Sequence, residues 1–262
     1  MHHHRLVIAY KGTHYFGWQD LGASEQKPTV QTSIHQILRK ICKYQHCTVS
    51  AASRTDAGVH AQGQVVKIAI PIVIESEKLL LGMNSLLPDD IRILQCEPSS
   101  AEFNANKDSK SKEYHYYFCT DPIYNPVLDD IVAHVPCRKK DPSTAPIDIE
   151  LMQQACQLFI GEHDFYSFAK RDSNMGSTVR TISSCEIVRA QFSNFGNDIY
   201  CLKITGNGFL KQMVRYIVGA LFAHGQNHIS LEDIVEALAN QQADKISPRA
   251  KSRGLHLIKI CY

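Results

Sequence analysis

No apolar run in this 262-residue chain approaches the ~20 consecutive residues that a bilayer-crossing helix needs; Leu79-Leu80-Leu81 is typical of what it has. The start, Met1-His2-His3-His4-Arg5, lacks the apolar core and cleavage site of a signal peptide. A cytoplasmic protein without membrane contact is therefore expected. His2, His3 and His4 read equally as native residues or as a tag remnant, and no function attaches to them. Cys-x-x-Cys pairs are also missing. The nine cysteines (Cys42, Cys47, Cys96, Cys119, Cys137, Cys156, Cys185, Cys201 and Cys261) are odd in number and scattered, which fits reduced thiols better than a disulfide framework. Cys42, His46 and Cys47 lie close together, but no second ligand pair at finger spacing follows, so no metal is expected. There is no G-x-G-x-x-G after a strand, no P-loop and no G-x-S-x-G elbow, which removes the simplest nucleotide-cofactor and serine-hydrolase readings. A large excess of charge is absent too, the net value being +2.

The cations that are present are clustered. Lys245, Arg249, Lys251, Arg253 and Lys259 occupy the last stretch of the chain with no acid among residues 245–262. Lys107, Lys110 and Lys112 form a second group, and Arg138, Lys139 and Lys140 a third. Any one cluster is ordinary solvated surface; three on a nearly neutral protein point to a phosphate backbone as partner.

Hydrophobic spacing divides the chain into two similar halves. Arg5–Tyr10 reads as a strand. Val30, Ile34, Ile37, Leu38 and Ile41 stripe a helix over 29–44 that Thr29 can cap. Strands follow at 48–53 and 62–70. Ser76 can cap a second helix, striped by Leu79, Leu80, Met83, Leu86 and Leu87 and ended by Pro88, before a strand at 91–96. The second half repeats this β-α-β-β-α-β order. It has a tyrosine-rich strand at 112–120 and a polar, Pro-bearing excursion over 121–148. A helix striped by Leu151, Ala155, Leu158 and Phe159 comes next, closed by Gly161. A strand pair at 178–192 and 198–205 then turns near Asn194–Asn197. Gly206-Asn207-Gly208 opens a helix striped by Phe209, Met213, Ile217, Ala220 and Leu221. A further helix at 231–240 and a strand at 254–262 finish the chain. The expected fold is α+β: two β-α-β-β-α-β halves, of the ferredoxin or RRM type. Such halves imply antiparallel sheets with helices packed on one face, whose uncovered faces can join or line a cleft. The expected domains are 1–105, carrying an aspartate loop, and 106–262, carrying the tyrosine strand and a basic helix.

The stretch richest in chemistry is Ser53-Arg54-Thr55-Asp56-Ala57-Gly58-Val59-His60-Ala61. Gly58 permits a tight turn, and Arg54 can hold Asp56 ionised through charge and a bidentate bond. An oriented, ionised carboxylate can serve as nucleophile or base; the plainer reading is an ion pair that only shapes a loop. Tyr114 and Tyr116 share one face of their strand, and a tyrosine there can stack on a base, exchange a proton or simply fill the core. Lys211 and Arg215, four apart on the helix behind the two glycines, can grip RNA, or Arg215 can pair with Asp56; the plainer reading is two solvated cations. His163 and Asp164 are adjacent but have no nucleophile at hand, so capping and loop packing fit them better.

The Ser53–Ala61 run closely resembles the catalytic loop of tRNA pseudouridine synthases of the TruA type, which reads Gly-Arg-Thr-Asp-Ala-Gly-Val-His-Ala. The resemblance extends over almost the whole chain: Arg5–Thr13 with Phe16–Gln19, Thr29-Val30-Gln31, Asn84–Ile91, Lys112–Tyr116, Gly161–Phe165 and Gly206–Arg215. It implies that Asp56 is the essential aspartate and that Arg54 helps to hold the target base out of the helix. It further implies that Tyr114 is the active-site tyrosine and that Arg215 pairs with the aspartate. It also implies that the two halves form one extended, mainly antiparallel sheet with helices on one face and a central RNA-binding cleft, and a homodimer working without metal or cofactor on uridines at positions 38 to 40 of the tRNA anticodon stem-loop. The chain departs from the family pattern at Asn106, where arginine is usual, and near Lys251, where Ala-Pro is frequent. Lys211, Arg249, Lys251 and Arg253 are the expected RNA contacts. The rival readings are a non-catalytic RRM-like RNA-binding protein and a small-molecule enzyme built on His163 and Asp164.

Overall fold

The computed structural model describes residues 1–20, 22, 27–135, 146–171, 176–190, 198–241 and 244–262. Cys137, the Arg138-Lys139-Lys140 cluster and the turn expected at 194–197 lie outside them. The fold is α+β. It divides into two compact units, one made of Met1–Lys110 with His256–Tyr262, the other of Ser111–Leu255. Among the described residues no helix is long and apolar enough to cross a membrane.

In the first unit, strand β1 (His2–Tyr10) buries Leu6, Ile8 and Tyr10 at alternate positions, as a two-residue period demands. It pairs antiparallel with β3 (His60–Ile70) on one side and β4 (Ile91–Pro98) on the other. The second edge of β3 is shared: β2 (Thr48–Ala51) runs antiparallel to residues 66–69, and β10 (Leu255–Cys261) runs parallel at His60 and Ala61. β1 begins at His2, three residues earlier than its apolar pattern suggests. His2, His3 and His4 pair with Ile70, Ala69 and Ile68, and buried His4 places Nδ1 3.2 Å from Ser76 Oγ. Helix α1 (Val30–Ile41) starts where expected, with Thr29 and Thr32 in a reciprocal capping box. It ends sooner, because Lys43 and Tyr44 adopt positive φ of 50° and 62°. Helix α2 (Ser76–Leu86) is preceded by Glu75 as N-cap, so Ser76 is not the cap. Its buried residues are Leu79 and Met83, while Leu86 stays exposed, so the apolar stripe is narrower than the spacing implied.

In the second unit, β5 (Ser111–Cys119) pairs antiparallel with β9 (Ile199–Gly206), β9 with β8 (Val179–Arg189), and β8 with β7 (Gly161–Asp164). The short β6 (Ala133–His134) runs parallel to β5. Lys112, Tyr114, Tyr116 and Phe118 are buried along one face of β5. Phe118 stacks on Tyr200 and meets Phe222 edge-on at 5.1 Å, while Phe159, Phe165 and Phe168 form an aromatic group of their own. Each such ring contributes about 1.5–3 kcal/mol of burial. Three expectations need correction. The helix α3 (Ile149–Cys156) buries Met152, Ala155 and Cys156 rather than Leu151, and a 3-10 turn follows it at Gln157–Phe159. Gly161–Asp164 is strand, not a helix end. The helix α4 (Met213–Gly225) begins seven residues after Gly206. Residues 207–212 form a loop instead: Asn207 donates its N–H to Thr181 O and accepts Thr181 N–H at its side-chain oxygen. α5 (Leu231–Ala239) is capped by Ser230 and Asp233.

Candidate functional site

Asp56 and Arg54 belong to the first unit; Tyr114, Lys211, Arg215, Arg249, Lys251 and Arg253 belong to the second. Asp56 is half-buried in the loop between β2 and β3, and Arg54 is exposed. Uncharged bonds fix the loop backbone. The fully buried Gln64 brackets the start of the loop, accepting Ser53 N–H at 3.1 Å and donating to Ser53 O at 2.7 Å. Thr55 accepts Trp18 N–H at its carbonyl (3.0 Å), and its hydroxyl meets Tyr10 Oη at 2.8 Å. Asp56 O accepts Val59 N–H at 3.1 Å to close the turn, Gly58 N–H donates to Tyr15 O at 3.2 Å, and Gly12 N–H donates to His60 Nδ1 at 3.1 Å. The segment 11–18 therefore clasps the aspartate loop. Gly17 makes this possible. Its φ is +91°, and a Cβ there would lie 2.6 Å from Thr55 O. These clasping residues were not singled out from sequence, although Gly12 and Gly17 in the opening loop were the available signal.

On β5, Tyr114 is 6 % exposed and meets Phe209 edge-on at 5.2 Å. Tyr116 is the core member of the pair: it is fully buried, its hydroxyl donates to Lys251 O at 2.9 Å, and burial pushes its phenol well above the ordinary range. Lys112 is buried rather than part of a solvated cluster with Lys107 and Lys110. Burial, and then the charge of Arg180, lower its ammonium to about 8.

Arg215 is not a solvated cation either. It is 8 % exposed, and its Nε donates to Ala250 O at 2.8 Å while its own carbonyl accepts Ala250 N–H. Lys211 lies ahead of α4, so the two do not share a helical face. Between them Gln212 adopts a left-handed φ of 63°, a conformation that costs a non-glycine residue about 1 kcal/mol. Gln212 Oε1 accepts from exposed Arg249 at 2.5 Å. Because the helix starts at Met213, its N-terminus is not led by the two glycines. Lys251 is exposed, Arg253 is paired with Asp129, and Lys245 donates to the carbonyls of Tyr166 and Ser167. Asn106 is exposed in a turn, its N–H donating to Asn104 Oδ1.

His163 and Asp164 do not form a dyad. His163 Nε2 lies 3.0 Å from Ile160 O. Asp164 accepts from Gln241 and from Tyr166 N–H. Burial by itself raises the Asp164 carboxyl, but the bonds from Thr178, Gln241 and Tyr166 outweigh it and hold the group below the usual range. Cys42 and Cys47 are buried, with burial raising both thiols, and His46 is exposed. No group of three His, Cys, Asp or Glu able to hold a metal occurs among the described residues.

A half-buried carboxylate on a loop fixed by backbone bonds suits nucleophilic or base chemistry at a bound substrate, and an enclosed tyrosine beside a second ring suits a flat base. A family model described as tRNA pseudouridine synthase matches residues 6–106 and 155–262. The chain is 53 % identical over 263 residues to tRNA pseudouridine synthase A 2 of Desulfotalea psychrophila, covering 99 % of this chain and 98 % of that one. It is 36 % identical to tRNA pseudouridine synthase A 2 of Protochlamydia amoebophila, over 98 % of this chain and 93 % of that one. It is 34 % identical to tRNA pseudouridine synthase A of Lysinibacillus sphaericus, over 98 % of both.

Proposed function

The chain belongs to the tRNA pseudouridine synthase family, and on that premise we propose that it acts on the anticodon stem-loop, at positions 38 to 40 in tRNA numbering. It is an isomerase that converts uridine to pseudouridine in tRNA. Uracil leaves C1′, turns and is rejoined to the same carbon through C5, so no atom is gained or lost.

The observation that carries the site assignment is the Asp56 loop. Its turn is closed and clasped by backbone and side-chain bonds before any substrate arrives. A carboxylate held that way does not have to be ordered when RNA binds. Asp56 then acts on the sugar, either attacking C1′ or removing a ribose proton. Tyr114 stacks on the everted base or exchanges a proton with it. Arg215 pairs with Asp56 in the active enzyme, and Arg54, exposed at the loop, holds the base out of its helix. Everting a paired base costs about a few kcal/mol, which cationic contacts to the backbone offset. Lys211, Arg249 and Lys251 supply such contacts, and Arg253 joins them when RNA displaces Asp129. The enzyme functions as a cytoplasmic homodimer.

The test is incubation with an unmodified tRNA transcript followed by mapping of pseudouridine. Product confined to positions 38 to 40 supports the proposal. Product elsewhere in the tRNA overturns the placement, and salt-dependent affinity without product leaves only an RNA-binding protein.

A further inference from the structure

We propose that His60 is a positioning residue for the Asp56 loop, acting through an unprotonated Nδ1 that anchors the clasping segment to the sheet. The inference rests on the tRNA reading above for its effect on the reaction, and its geometry lies wholly within the first unit. His60 is the first residue of β3, where the loop passes into strand, and it is 3 % exposed. Its Nδ1 accepts the Gly12 N–H at 3.1 Å. A ring nitrogen that accepts carries no proton. The imidazole is therefore neither the cation nor the Nδ1–H tautomer while that bond stands. The ring has a second support in His256 of β10. The two residues stand opposite each other where β3 and β10 run parallel, and their rings stack with centroids 4.6 Å and planes 20° apart. Rotation of an imidazole about its Cβ–Cγ bond is broad in a free side chain. A flat partner at stacking distance narrows it and keeps Nδ1 aimed at Gly12.

The segment that His60 anchors touches the loop on both sides of Asp56. A Cβ on Gly12 would lie 1.9 Å from Val59 O, so backbone lies directly on backbone there. Tyr15 O accepts Gly58 N–H, and Trp18 N–H donates to Thr55 O. These bonds join one loop to another. Two side chains of β3 tie the pair to the sheet: Gln64 holds the start of the aspartate loop at Ser53, and His60 holds the clasp at the loop's end. Without the acceptor the buried Gly12 N–H loses its partner, a condition that buried backbone seldom tolerates. The segment then shifts to relieve it, and Thr55 and Gly58 shift with it. A misplacement of about 1 Å at a reacting group can cost ~10²-fold in rate. His60 need not touch the substrate for this; it acts through the loop.

The experiment compares wild type with His60→Leu, His60→Asn and His60→Gln in steady-state turnover of unmodified tRNA transcript. Leucine removes the acceptor at similar volume. Asparagine places a carbonyl oxygen where Nδ1 stands, and glutamine carries that oxygen one bond further out. His60→Leu is expected to lower kcat by about tenfold to 10²-fold with KM within about twofold of wild type. His60→Asn should restore kcat to within about threefold of wild type, and His60→Gln should not. The wild-type protein supplies a readout that survives if a variant fails to fold. With 15N-labelled histidine near neutral pH, the His60 Nδ1 resonance should be that of an unprotonated, hydrogen-bonded ring nitrogen. A protonated Nδ1 overturns the proposal. So does His60→Leu at wild-type kcat, His60→Asn as slow as His60→Leu, or a loss of affinity at unaltered kcat. A wild-type protein that makes no pseudouridine in the transcript overturns the tRNA reading instead and leaves the resonance to decide the anchor, so the two failures are separable.

Discussion

Asp56 sits between an exposed arginine and a glycine at positive φ, on a loop whose backbone is bonded to Trp18 and Tyr15 and closed by the Val59 N–H. Asp56→Asn keeps the shape and removes the charge. The expected result is tRNA affinity within about twofold of wild type and turnover reduced by at least ~10³. Tritium release from C5-labelled tRNA checks this, and a near-normal rate would remove Asp56 from the chemistry. Tyr114→Phe keeps the ring beside Phe209 and removes the hydroxyl, and is expected to cut turnover more than affinity. Equal turnover would leave the residue a stacking role only. Lys112 makes a prediction about stability. Its folded pKa of about 8 lies below the ordinary 10.5. Between those values the unfolded chain holds a proton that the folded chain has released, so this group adds stability as pH rises from about 8 toward 10.5. Below 8 the full cost of the buried charge is present. Lys112→Met should thus raise stability by about 1–3 kcal/mol at pH 7, with the gain shrinking by pH 10. Thermal melts at the two pH values measure it; a variant less stable than wild type at pH 7 would show that the charge is stabilising.

At the scale of elements, the aspartate loop is fixed by a clasp from a distant segment rather than by its own sequence. Gln64 stands in for a strand neighbour by pairing both polar groups of Ser53. Gln64→Leu leaves that N–H and C=O unpaired beside a buried side chain, at an expected cost of about 2–5 kcal/mol. Turnover should fall with little change in tRNA affinity, as read by urea unfolding and single-turnover assays on the same preparation. Unaltered stability would mean the bracket is replaced by water. Periodicity located most helices and strands of the molecule, because amphipathic spacing is a local property. It misplaced the start of α4. The apolar residue Phe209 continues the helical stripe in sequence, but Asn207 is claimed by Thr181 and the chain turns through a left-handed Gln212 before the helix begins. It also assigned Gly161–Asp164 to a helix end, since a four-residue strand has too few residues to display its period.

For the whole molecule, the consequential feature is that the last seven residues return to the first unit after 145 residues of the second. β10 adds to β3 beside the aspartate loop, stacks His256 on His60 at 4.6 Å, and ends with the Tyr262 hydroxyl donating to Ala105 O and Arg5 over the Tyr262 ring. Gly63 permits the approach, since a Cβ there would lie 2.3 Å from Ile258 O. A chain ending at Leu255 is expected to lose turnover and to expose sites within residues 1–110 to limited proteolysis, while the second unit stays resistant. An unchanged proteolytic pattern would show that the first unit does not depend on β10.

By itself the sequence determined the α+β class, the repeated order of elements and the aspartate loop, because turn chemistry and hydrophobic period act between residues a few positions apart. It also settled the family through motifs spread along the chain in order. Tertiary structure alone decided that Lys112 and Arg215 are buried, that Gln64 braces the loop, and that β10 adds to β3. Each of those depends on contacts between residues far apart in the chain, where the free energy of burial and of satisfying a polar group overrides what any local pattern can express.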